Sequence, residues 1–430
     1  ARHHGGKFLL RIEDTDQSRL VAGAAEDILA SLRWAGLEFD GEPVVQSQCL
    51  PEYTRFAETL VASGHAYRCF CTEERLAQLR SQQQATKQPT RYDGHCRGLA
   101  AGSSQVGGEP SIIRFAMPSH TVIELNDLVH GTVRVNTDTL DDAVLLKSDG
   151  FPTYHLASVV DDHAAGVSHI IRGIEWLPSA HLHTLLYAAF GWTVPHFAHL
   201  PLLLNPDRTK MSKRLGDVAV NDYRAKGYLP EALLNFVLLL GWNPKTDEEI
   251  FTLPEMVQRF DLSGVNKSGA ILNHEKLDWM NGVYLRRLPL EELVTRAWPF
   301  LESAGLADAG TNRAEVTRYA ALEQSRIKRL AELPELIAYC LRSPTPDPAL
   351  LPYKKQTQPD AREKLLAAKT ALQDLAEGEW NTGRLEARLK AFIADRQFTT
   401  GSVLWPLRVA LSGRRDSPPP FDIAAALGKA

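Results

Sequence analysis

The sequence predicts an α/β chain: a parallel sheet wound by helices, interrupted by an inserted α+β segment and followed by an all-α half. Three observations lead there. Strand-length apolar runs alternate with segments of helical periodicity up to about residue 204, which implies right-handed crossovers and a parallel sheet. A stretch of different character, 67–142, splits that alternation with three cysteines, a Gln-rich run and several Thr/Val-rich strand candidates. Beyond Leu215 the pattern is mostly helical, with little strand signal.

Taken in order, residues 7–12 read as a buried strand, and Val21, Ala25, Ile28, Leu29 and Leu32 recur at helical spacing straight after it. The second series opens with Ala143, Val144, Leu145 and Leu146 and passes through a helix around 154–162. It continues with the strand His169-Ile170-Ile171, a helix over 181–190 and the apolar segment 199–204. Residues 230–240 and 277–285 are strong helical segments, and Ser343-Pro344-Thr345-Pro346-Asp347-Pro348 reads as a linker between two helical halves. No internal repeat is visible.

Composition narrows the class. A chain of 430 residues is long for one core, so two to four domains are expected. With 44% hydrophobic and 23% charged residues it does not read as disordered, collagen-like or coiled-coil. Its apolar runs, such as 236–240, fall far short of the roughly 18–20 residues of a membrane helix. Five cysteines speak against a disulfide framework and for a reducing compartment, cytoplasm or an organelle matrix. The net charge of −4 requires any polyanion-binding surface to be local. The chain opens without Met and reaches Arg11-Ile12-Glu13-Asp14-Thr15-Asp16 almost at once, so neither signal nor transit peptide is expected and it reads as a fragment lacking its true start.

The sharpest chemical signal is Lys210-Met211-Ser212-Lys213-Arg214, just after the last predicted strand of the sheet. A bare basic cluster is ordinarily a solvated loop. Here the Met-Ser core and the strand-end position favour function, because open α/β sheets bind ligands outside the carboxyl ends of their strands. Three cations in such a loop can close over a triphosphate and neutralise charge on a leaving pyrophosphate. Cys69, Cys71 and Cys96 form a second constellation, one C-x-C pair and a third thiol 25 residues on, which can make three corners of a tetrahedral zinc site. His95, adjacent to Cys96, has poor chelate geometry for a fourth ligand. Cys49 and Cys340 read as ordinary buried thiols.

The 210–214 loop resembles the Lys-Met-Ser-Lys signature of the class I aminoacyl-tRNA synthetases, and the chain is most similar to the glutamyl-tRNA synthetase family. Further ordered blocks carry the resemblance: Arg11 to Asp16, Leu146-Lys147-Ser148-Asp149-Gly150-Phe151-Pro152-Thr153-Tyr154, Val159-Val160-Asp161-Asp162-His163, Ile171-Arg172-Gly173-Ile174-Glu175-Trp176 and Pro406-Leu407-Arg408-Val409-Ala410-Leu411-Ser412-Gly413. The resemblance implies a Rossmann-like catalytic domain in two parts, 1–66 and 143–204, split by an acceptor-end insertion, 67–142. A stem-contact region with the cationic loop, 205–285, and two helical anticodon-binding parts, 286–342 and 343–430, follow.

It further implies that L-glutamate is activated with ATP and magnesium (Mg2+) and passed to the 3′ end of tRNA(Glu), by a monomer. Lys210 and Lys213 take the catalytic role, and Lys210, Met211, Ser212, Lys213, Arg214, Glu175 and Trp176 bind ATP. Glu13 holds the α-amino group, while Tyr154, Ser158 and Arg172 meet the side-chain carboxylate, a fork that a guanidinium serves with parallel charge-assisted bonds. Arg326, on a predicted helix, would read the anticodon of the tRNA. Some relatives complete the three cysteines with a further ligand and hold zinc (Zn2+) while others lack the metal, so both states stay open. His3-His4-Gly5-Gly6 matches the His-x-Gly-His signature only in composition; that signature is expected upstream, as is an arginine that helps read the carboxylate. His155 and His163 read as structural, since a carboxylate nucleophile is already ionised and needs no general base. The rival readings are a catalytically silent tRNA-binding paralogue and a glutaminyl-type synthetase, whose β-barrel anticodon part conflicts with the helical pattern here.

Overall fold

The computed structural model describes residues 1–98, 111–211 and 219–429. The chain divides into two compact units, Ala1–Met211 with Val237–Leu272, and Ser212–Phe236 with Asn273–Ala430. Of the cationic loop, Ser212, Lys213 and Arg214 lie outside the described residues.

The first unit is built on short sheets. His169–Gly173 and His196–Leu200 run parallel over five paired positions, joined by the helix Leu177–Ala189. Val122–Asp127, from the inserted stretch, continues this sheet through a parallel pairing of Asp127 with Phe197, and Gly131–Asn136 returns antiparallel beside it. Ala66–Cys69, Ile112–Phe115 and Val144–Leu146 form a second, antiparallel sheet. Two further parallel pairs, Arg11–Ile12 with Val44–Val45 and Leu203–Leu204 with Ala270–Ile271, complete the strands. The α/β class holds, but the insertion contributes a strand to the main sheet instead of standing beside it.

The helices that carry the core follow their sequence periodicity. Leu50–Ala62 buries Tyr53, Ala57 and Leu60, spaced four and three apart on one face. Tyr154–Ala164 buries Leu156, Ala157, Val159 and Val160 against them in one cluster with Leu145, Leu186 and Tyr187. The opening segment departs from the expected buried strand. Only Arg11–Ile12 pairs, Leu9 is 49% exposed, Val21 precedes the helix and is 72% exposed, and Ala24–Trp34 fully buries no residue. Its apolar periodicity specifies a helix; among the described residues that face is only partly covered, with Ala25, Leu29 and Leu32 half-buried and Ile28 exposed.

In the second unit no strand is found among the described residues. Helix Leu290–Ser303 buries Leu293, Val294, Ala297 and Leu301, the i, i+1, i+4, i+8 stripe of an amphipathic helix. Gln358–Gln373, Thr382–Asp395, Thr400–Ser412 and Pro420–Leu427 share a core of Ala368, Leu372, Leu385, Leu389, Ile393, Val403 and Ala424. Thr357 and Asp360 cap the first of these reciprocally. At Gly227 a positive φ of 81° brings the backbone against Leu330 and Ala331, where a Cβ would strike the main chain.

Candidate active site

The strand His169–Gly173 delivers Arg172 at its carboxyl end, and the helix Tyr154–Ala164 delivers Tyr154 at its first turn. Arg172 Nη1 donates to Tyr154 Oη at 3.3 Å and to His183 Nδ1 at 3.1 Å. Its Nε donates to His199 Nε2 at 3.1 Å and Nη2 to the carbonyl of Trp176 at 3.3 Å. Since a guanidinium carries five N–H groups, one of Nη2 is left over. Tyr154 accepts from Arg172, so its own O–H is also left to donate. One turn further on the same helical face, the buried Ser158 Oγ has no partner among the described residues. Trp176 stacks obliquely on Tyr154, ring centroids 4.3 Å apart, and is 37% exposed.

Glu13 stands beside Arg11, whose Nη2 and Nε both donate to Glu13 Oε1, at 3.0 and 3.2 Å. The remaining arm of Arg11 donates to Asp162 Oδ1 at 2.7 Å, on the helix that carries Tyr154. Burial opposes the charge on Arg11, but the Asp162 and Glu13 carboxylates outweigh it and hold the guanidinium above its ordinary value. Asp162 itself is pushed up by burial, with Arg11 and then Arg172 pulling it down. Asp161 is fixed differently, accepting from Tyr53 Oη at 2.9 Å and Gln46 Nε2 at 2.8 Å.

The stem of the cationic loop is ordered by local bonds. Lys210 bridges to Leu204, Met211 N–H donates to Leu203 at 3.2 Å, and Asp207 caps Thr209. Lys210 Nζ lies 4.0 Å from Glu175 Oε1, so the loop stem reaches the segment that follows Arg172. Gly173 makes room for this, because Glu175's carboxylate occupies the space a Cβ at 173 would need.

Cys69, Cys71 and Cys96 come together with all three sulfurs within 4.8 Å of one another. Cys71 and Cys96 Sγ are 3.5 Å apart, and Tyr92 Oη lies 3.3 Å from Cys69 Sγ, 3.5 Å from Cys71 Sγ and 2.9 Å from the Cys96 N–H that it accepts. Burial, with Cys96 and Cys69 adding, pushes the Cys71 thiol up to about 11, against a pull from Tyr92. Cys69 is buried too, yet Tyr92, the Cys71 backbone and Arg114 hold it below its ordinary value. His95 is exposed and outside the group. Cys49 and Cys340 are partly buried, a correction to their reading as buried thiols.

Arg326 is not on a helix. Arg313–Glu323 ends three residues earlier, and Ile327, fully buried, pulls the following turn into the core. In that turn Arg326 spans the buried Glu323, Nη1 to Oε2 2.9 Å, and the 95% exposed Asp416, Nη2 to Oδ1 2.7 Å. Glu323 is raised by burial, with Arg326 partly offsetting it.

Sequence reading missed Asp127, His183 and His199 behind Arg172, Asp162 behind Arg11, and Tyr92 beside the thiols. Of these, only Tyr92 carried a usable signal, four residues before Cys96. His163 stacks on Trp192, ring centroids 3.7 Å apart.

Residues 1–279 match the family model described as tRNA synthetases class I (E and Q), catalytic domain, and residues 292–430 match an anticodon binding domain. A glutamate–tRNA ligase of Dehalococcoides mccartyi is 43% identical over 440 residues, covering 100% of this chain and 89% of the relative. One from Thermus thermophilus is 43% identical over 442 residues, with 100% and 92% covered. Among solved structures, a glutamate tRNA ligase from Elizabethkingia meningosepticum in complex with its amino acid superposes with a TM-score of 0.89 at 33% identity, covering 100% of this chain and 91% of that one. A chain whose sheet carries this Arg172–Tyr154 corner, and which aligns along its full length with such relatives, belongs to the class I tRNA synthetases of the E and Q group, among the glutamate–tRNA ligases.

Proposed function

We propose that the chain activates L-glutamate with ATP and transfers it to the 3′ end of tRNA(Glu). The observation that carries this reading is the Arg172–Tyr154 corner, which leaves a guanidinium N–H and a phenol O–H to donate, with the unpartnered buried hydroxyl of Ser158 one turn along the same helix. That set suits a carboxylate, which accepts at both oxygens. Glu13, held by Arg11, takes the substrate ammonium. The α-carboxylate then attacks the α-phosphorus of ATP, and the bond to the bridging oxygen breaks to release pyrophosphate. A terminal ribose hydroxyl next attacks the adenylate carbonyl, and AMP leaves. Lys210, with Lys213, Met211, Ser212 and Arg214 beyond it, supplies charge to the phosphates, and Glu175 and Trp176 border the nucleotide. Magnesium enters with ATP and neutralises phosphate charge.

The second unit, helical and without a strand among its described residues, favours the glutamyl over the glutaminyl reading, and Arg326 is the side chain assigned to the anticodon. Cys69, Cys71 and Cys96 hold a structural zinc in this reading, and Tyr92 is the further oxygen donor that the described residues bring to the sulfurs. The protein works as a monomer in the cytoplasm. Glutamate-dependent ATP–pyrophosphate exchange and charging, measured with tRNA(Glu) present, test the function. Absence of both, with tRNA binding retained, would identify a silent tRNA-binding protein. Faster exchange with glutamine than with glutamate would identify the glutaminyl type.

A further inference from the structure

Arg172 is gripped from behind by a line of groups that comes from four separate elements. On one edge, His199 Nε2 accepts from Arg172 Nε, and His199 Nδ1 contacts Asp127 Oδ2 at 2.6 Å, with both side chains wholly buried. On the other edge, His183 Nδ1 accepts from Nη1, and His183 Nε2 lies 3.0 Å from His155 Nδ1. A guanidinium only donates, so the ring nitrogens facing it must present lone pairs. That fixes every proton in the line. His199 is neutral with Nδ1–H donating to Asp127, and His183 is neutral with Nε2–H donating to His155 Nδ1, which leaves His155 neutral with its proton on Nε2. Asp127 closes one end as an anion, its Oδ1 accepting from the backbone N–H groups of Val129 at 3.0 Å and His130 at 2.8 Å. The charged and titratable groups facing the line are Asp127, Arg172 and His130 at His199, and Arg172, His155 and His199 at His183. Burial first, then Arg172, disfavours the imidazolium form of His183 and His155.

We propose that Asp127, His199 and His183 are positioning residues that lock the orientation of Arg172, and through it the selection of a substrate side-chain carboxylate over a carboxamide. With both flanking edges of the guanidinium engaged, what it turns to the pocket is a donor only, the free N–H of Nη2, and the Tyr154 hydroxyl, already accepting from Nη1, has its O–H left to donate, with the Ser158 hydroxyl on the same helical face. A carboxylate satisfies two donors. A carboxamide offers one oxygen and turns an N–H toward the second donor. A guanidinium free to swing could avoid that clash, and this one is held. The inference rests on the reading that Arg172 meets the glutamate side chain.

Asp127→Asn tests it without touching the pocket. The backbone N–H groups keep the amide oxygen at the Oδ1 place, so the NH2 takes the Oδ2 place and donates to His199 Nδ1. The histidine proton moves to Nε2, where it opposes Arg172 Nε–H. In ATP–pyrophosphate exchange we expect the KM for glutamate to rise about tenfold or more, the KM for ATP to change less than about twofold, and the glutamate-over-glutamine preference to fall. His199→Gln, whose carbonyl can still accept from Arg172, should stay within about threefold of the parent. If Arg172→Ala raises the glutamate KM while Asp127→Asn leaves both KM and preference unchanged, the positioning role is overturned and the pocket stands. If Arg172→Ala leaves the glutamate KM unchanged, the pocket reading fails and this inference with it. Should Asp127→Asn not fold, His183→Leu on the opposite edge carries the same expectation, and an unchanged glutamate KM there overturns the role.

Discussion

Replacing Tyr154 by Phe removes one oxygen and little else. In the structure that oxygen accepts one bond from Arg172 Nη1 at 3.3 Å, while His183, His199 and the Trp176 carbonyl also hold the guanidinium at 3.1, 3.1 and 3.3 Å. The arginine should therefore keep its place, and the ring should keep its oblique stack on Trp176. With glutamate bound, the variant loses a hydrogen bond to a charged acceptor, a contribution of about 1.5–3 kcal/mol. At about 1.4 kcal/mol per tenfold, kcat/KM for glutamate should fall about 10- to 150-fold. The assay is ATP–pyrophosphate exchange with tRNA(Glu) present, varying glutamate at saturating ATP and then ATP at saturating glutamate. The KM for ATP should stay within about twofold and the melting temperature should barely move. A rise confined to the ATP constant, or an unchanged glutamate constant, would refute the assignment of this corner to the substrate side chain.

Lys213→Ala should slow exchange about 100-fold or more while tRNA affinity holds, because in the proposed role it supplies charge to the leaving pyrophosphate; an unchanged rate sinks that role. Arg326→Gln should leave exchange intact and raise the KM for tRNA(Glu) in charging, and equal effects on both reactions would place Arg326 outside RNA recognition. Elemental analysis of protein purified without chelator should find about one zinc per chain, lost in Cys71→Ser; a content near zero in the parent removes the metal. Burial holds His155, His183 and His199 below the ordinary imidazole value of 6.5. The unfolded chain therefore takes up protons near pH 6.5 that the folded one refuses, so this contribution is intact above that pH and drains away as pH falls towards the folded values. The drop in melting temperature between pH 7 and 5.5 should be smaller in His183→Gln than in the parent, and an equal drop would contradict the neutral assignment.

Much of the site was legible because its members lie in short, ordered blocks. Tyr154 and Ser158 share one helical face by their spacing alone, and Arg172 follows the β-branched pair Ile170-Ile171, which reads as a strand. What lay hidden are contacts made across the fold. Asp127 and His199 are separated by 72 positions, and no periodicity links a carboxylate on an inserted strand to a histidine on another. His155 was read as structural on chemical grounds, and its place at the end of the line behind Arg172 depends on His183, which nothing in the sequence marks. The exposed helix Ala24–Trp34 illustrates the converse: periodicity announces a face and says nothing of what meets it. Arg326 sat on a continuous helical pattern that the burial of Ile327 and the ion pair to Glu323 bend into a turn.

The strand Val122–Asp127 belongs by sequence to the inserted stretch, yet its last residue completes the wall behind the Arg172–Tyr154 corner. Grafts from relatives must therefore respect a junction that sequence boundaries ignore. A chimera receiving a foreign segment over 67–142 should keep its taste for glutamate only where the donor brings an acid to position 127. One that brings a neutral residue there should turn tolerant of the amide, however well its new surface suits the RNA.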